Sequence, residues 1–162
     1  MVGLPPSLLP EVALAYGHSL GFMVCFAALA LERRLIRADP ARADALALVV
    51  TDVVYGIAAL ALVLSGILRV LQFGRGVEFY THNPLFWLKV GLFVAAGVVS
   101  LYPTFTFILW ANPLRKGELP QVSEALAARL RWFINIELLA FASIPLLASL
   151  MARGVGLSSW TP

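Results

Sequence analysis

Four long apolar runs constrain this chain more than any other feature of it. A bilayer's hydrocarbon core is about 30 Å thick, so a helix that crosses it needs about 20 mostly apolar residues. Such runs occur over about Val12 to Leu31, Ala45 to Leu71, Leu85 to Trp110 and Trp132 to Ala152. Helix punctuators bound them: Pro10 and Glu11, Glu32-Arg33-Arg34, Gly74-Arg75-Gly76, Asn83-Pro84 and Asn112-Pro113. Composition agrees. Of 162 residues 60% are hydrophobic and 13% charged, and mean hydropathy is +0.88. A soluble globule with this balance would expose far too much apolar surface, and a disordered chain needs the opposite balance. The sequence therefore predicts an all-α fold, a four-transmembrane-helix bundle forming a single domain over 1–162. A short amphipathic helix is expected over about 120–131, capped near Ser123 and lying at the membrane interface before the fourth span.

Loop charge sets the expected direction. The loops after the first and third runs carry Arg33, Arg34, Arg37, Arg42, Arg115, Lys116, Arg129 and Arg131, whereas the other side carries Arg75 and Arg153. By the positive-inside bias, both termini lie on the extracytoplasmic side. No Lys or Arg precedes the first run, which is also longer than a signal peptide's apolar core, so it reads as a retained helix. The preference for Arg over Lys and the abundance of Ala and Leu hint at a GC-rich bacterial genome, no more; the expected location is a bacterial cytoplasmic (inner) membrane. Nucleic acid is not an expected partner, because the basic residues lack interleaved aromatics. The single cysteine, Cys25, excludes an intrachain disulfide and a CxxC metal site, and reads as a small buried hydrophobe.

Ionisable groups inside apolar spans are costly, and that makes them functional candidates. Here they are His18, Asp52, Arg69, Lys89 and Glu137, with Glu32 at a helix end. Alternating helix direction places His18, Arg69 and Lys89 in one outer layer. It places Glu32, Asp52, Tyr55, Tyr102, Thr104, Asn135 and Glu137 in an inner one. His18, Phe22, Cys25, Leu29 and Glu32 form one helical stripe, and Lys89, Phe93, Ala96 and Ser100 another; both are expected to face the interior. Asp52 and Glu137 have a plain reading as partners of Arg33, Arg34 or Arg131, while Arg69 and Lys89 could snorkel to headgroups. Gly17 and Gly21 form a Gly-x-x-x-Gly pattern, which would let a second helix approach, as in a homodimer, or leave room for a flat cofactor. A haem b site would use His18 as axial metal ligand, with Arg69, Lys89 and Arg75 neutralising the propionates.

The segments Tyr16-Gly17-His18-Ser19-Leu20-Gly21 and Leu31-Glu32-Arg33-Arg34-Leu35-Ile36-Arg37, with Phe86-Trp87-Leu88-Lys89, resemble the HemJ-type protoporphyrinogen oxidases and their CopD-like relatives. Asn135-Ile136-Glu137, eight residues before Pro145, is a looser match to that group's last-helix motif. The resemblance implies a four-helix bundle that binds haem b through His18. It places Lys89 and Glu137 at functionally important polar positions and implies a porphyrin or the quinone pool as partner. Where HemJ-like chains have a histidine late in the lysine-bearing helix, this one reads Ser100-Leu101-Tyr102-Pro103-Thr104, which points to a relative of HemJ. Three functional readings follow: a haem-binding redox protein, a small ion- or proton-coupled transport protein using Asp52, Glu137 and Lys89, and a non-catalytic subunit of a membrane complex.

Overall fold

Every apolar run becomes a helix in the computed structural model, which describes residues 8–74 and 76–156. The elements are α1 (Leu8–Leu35), α2 (Arg42–Leu71), α3 (Val77–Thr81), α4 (Pro84–Arg115) and α5 (Glu124–Ala152), and no strand occurs among the described residues. Four of these helices are long and apolar enough to cross a membrane. At 28 to 32 residues each, they reach roughly 42 to 48 Å, so their polar ends extend past the hydrocarbon core.

The helices pack as a closed ring: α1 against α2, α2 against α4, α4 against α5 and α5 against α1. Neighbours in the ring run antiparallel. We call the end with Leu8, Leu71, Pro84 and Ala152 proximal, and the end with Leu35, Arg42, Arg115 and Glu124 distal. Large apolar side chains cover the outside, among them Ile57 at 66% and Leu109 at 74% exposure. Water would reject that surface and acyl chains accept it. The inside is mostly apolar but holds the buried polar side chains Glu32, Thr51, Asp52, Ser100 and Glu137. Cys25, Leu29 and Glu32 of the α1 stripe, and Ala96 and Ser100 of the α4 stripe, are buried as expected.

Caps explain where the helices stop. Asn83 opens α4 by accepting from Leu85 N–H at 2.9 Å, with Pro84 in the first turn, and donates through Nδ2 to Val155 O at 3.0 Å. Gly74 has no alternative: a Cβ there would lie 2.2 Å from Arg69 O. Arg42 donates to the Leu114 carbonyl at 3.2 Å, which also accepts from Gly117 N–H, fastening the start of α2 to the end of α4.

Three sequence expectations need correction. Asn112-Pro113 does not end the third span, because proline in a last turn removes only one N–H; α4 runs on to Arg115, and the chain turns at Gly117, whose φ is 86° and whose neighbour Glu118 donates to Pro113 O at 3.0 Å. The short interfacial helix does not exist separately. Ser123 does cap a helix, accepting from Leu126 N–H at 3.2 Å, but Leu130-Arg131-Trp132 contains no Gly or Pro to break it, and α5 continues into the membrane. The short α3 lies between the second and third spans, where only a loop was expected.

Candidate functional site

Three carboxyl side chains converge inside the distal half of the bundle. Glu32 of α1 is 1% exposed, Asp52 of α2 is 7% and Glu137 of α5 is 0%. Each comes from the buried stripe of its helix, one turn from an apolar core residue: Leu29, Leu48 and Phe141 respectively. The three are within electrostatic reach of one another. Asp52 accepts a hydrogen bond from Thr104 Oγ1 at 2.7 Å. Both oxygens of Glu137 and Oε1 of Glu32 have no hydrogen-bond partner. The Tyr55 hydroxyl adjoins Glu137, close enough to interact but outside hydrogen-bonding geometry.

The nearby arginines do not neutralise this cluster, which corrects the plain reading of Asp52 and Glu137 as surface ion pairs. Arg33 turns outward to Asn135 Oδ1 at 2.7 Å, and Arg131 pairs with Glu124 at 2.8 Å. Arg34 is exposed, and Arg129 donates to the Tyr102 hydroxyl at 3.3 Å. Among the described residues the ion pairs are Arg37–Asp44 and Arg131–Glu124, both at the distal end. Asn135 shares the depth of Glu137 but is exposed, so it belongs to the outer surface of α5.

An aromatic layer covers the cluster on its proximal side. Phe141, 0% exposed, holds ring contacts with Phe22 of α1 at 5.3 Å, Tyr55 of α2 at 6.1 Å and Phe93 of α4 at 6.0 Å. One turn beyond Phe22 and Phe93 lie His18 and Lys89. His18 Nδ1 is hydrogen-bonded to Ser65 Oγ at 2.8 Å, and its ring rests against Gly66, where a Cβ would come within 3.4 Å of Cε1. Arg69 and Lys89, both half-buried, are within electrostatic reach of His18, and Lys89 Nζ lies 5.2 Å from the centre of the Phe86 ring. The structure thus brings His18, Arg69 and Lys89 together, and Glu32, Asp52 and Glu137 together, with aromatic rings between. Arg75 lies outside the described residues. Ser65 and Phe141 escaped the sequence reading, although Ser65 stands one turn from Arg69 and Phe141 one turn from Glu137.

Gly17 and Gly21 do not act as one face. Gly21 packs inside the chain, where a Cβ would meet Leu62 Cγ at 3.4 Å, whereas Gly17 has open space. Gly17 borders an outward apolar groove of about 280 Å³ between α1 and α2.

Comparison with known proteins places this arrangement. The sequence profile of DUF2214, described as a predicted membrane protein, matches residues 10–156, all four spans included. The chain belongs to the DUF2214 family. No curated protein and no solved structure matches it. It is an integral membrane protein with four transmembrane helices.

Proposed function

We propose that this DUF2214 protein moves an ion across the membrane, with Glu32, Asp52 and Glu137 as its intramembrane ion site. One observation carries the reading: three unpartnered oxygens on Glu32 and Glu137, in side chains at most 1% exposed, with the nearest arginines turned elsewhere. Such groups are costly in a bilayer, and they are a liability to a bundle whose only task is to fold. Membrane proteins use them where an ion must be bound and released. In this reading Asp52, held by Thr104, fixes the electrostatic floor of the site, and Phe141 with its ring partners separates it from the proximal side. The distal loops, rich in Arg, face the cytoplasm. Purified protein in proteoliposomes should carry ion flux under an imposed gradient, and Asp52→Asn should abolish it. Flux equal in wild type and variant would refute the assignment.

A second reading has an observation of its own. Ser65 holds the His18 ring against Gly66, and Arg69 and Lys89 stand within electrostatic reach of it. This donor set fits a haem b in kind, with His18 as axial ligand and the two cations holding the propionates. Bound there, haem would supply one-electron chemistry toward a quinone or porphyrin. The carboxyl site leads because its buried oxygens are without hydrogen-bond partners, whereas the His18 ring is already held by Ser65. A Soret band that vanishes in His18→Ala would establish the haem reading; a colourless preparation from haem-replete cells would remove it.

A further inference from the structure

We infer that the ion is the proton, and that Glu137 and Glu32 carry it. This rests on reading the carboxyl cluster as an ion site and goes on to the ion's identity. A carboxylate buried among apolar side chains is neutralised by a bound cation or by a proton. A metal cation such as Ca²⁺ needs about six to eight converging oxygens, and Mg²⁺ an octahedral shell. Among the described residues no group of three or more His, Cys, Asp or Glu is arranged to hold a metal ion. Asp52 is already engaged by Thr104, which leaves the free oxygens on Glu32 and Glu137. A proton requires one such oxygen and no shell.

The surroundings agree on every side. Facing the cluster are Glu32 and Cys25 from α1, Asp52 and Tyr55 from α2, the neutral hydroxyl of Thr104 from α4, and Glu137 from α5. No Lys, Arg or His is among them. Three acids without a counter-charge repel one another when ionised, so a proton taken up by one lowers the energy of the others. Tyr55, beside Glu137, presents a neutral hydroxyl and no counter-charge to that carboxyl.

Infrared difference spectroscopy of the reconstituted protein tests this. At neutral pH the wild type should show a protonated-carboxyl C=O stretch that shifts in D₂O. Glu137→Gln and Glu32→Gln should each remove part of it, and added NaCl, KCl or CaCl₂ should leave it unchanged. A wild type showing only carboxylate bands, or a band lost on adding any of these salts, would overturn the inference. Flux from the same vesicles separates the two claims. A salt-insensitive band without flux keeps the proton assignment and removes the transport reading. Na⁺-driven flux without the band does the reverse.

Discussion

Glu137, buried with neither oxygen hydrogen-bonded, costs the fold free energy. Replacing it with leucine should therefore stabilise the bundle, by roughly 1–3 kcal/mol, while ending transport. Thermal unfolding in detergent gives the sign, and a lower midpoint would mean that the carboxyl has a structural role. Thr104→Val should act oppositely, leaving Asp52 without its donor and lowering stability by about 1–3 kcal/mol in the same assay. These acids were legible in the sequence because an ionisable letter inside an apolar run is a visible anomaly. The fate of the arginines was not legible. Whether Arg33 reaches inward to a carboxyl or outward to Asn135 depends on how a long side chain bends around a neighbouring helix, and spacing does not encode that.

Helix boundaries were readable where a stop signal acts alone and misleading where it does not. Asn83-Pro84 starts α4 as written, but Pro113 falls harmlessly in the last turn, and α5 runs through the stretch expected to break it. The stripes of α1 and α4 were readable because period and face coincide. The aromatic layer was not, since its rings come from four helices and meet only after packing. Phe141→Ala tests that layer. Truncation of a buried phenylalanine costs about 3–5 kcal/mol and leaves a cavity where the rings met. Vesicles with the variant should leak protons passively, measured with an internal pH dye, and a vesicle as tight as wild type would deny Phe141 a barrier role.

Across the whole molecule, the alternation of helix direction made both layers legible in the sequence, because direction alone assigns depth. Direction relative to the cell is a separate matter. Buried Cys25 leaves little background thiol labelling, so Glu118→Cys and Glu78→Cys can report the two sides. An impermeant maleimide on intact cells should label the Glu78 position and spare the Glu118 position. The account stands or falls on the carboxyl site itself. Gradient-driven proton uptake into proteoliposomes should fall at least about tenfold, the equivalent of roughly 1.4 kcal/mol, in Glu137→Gln and persist in His18→Ala. Uptake that survives Glu137→Gln and disappears in His18→Ala would contradict it.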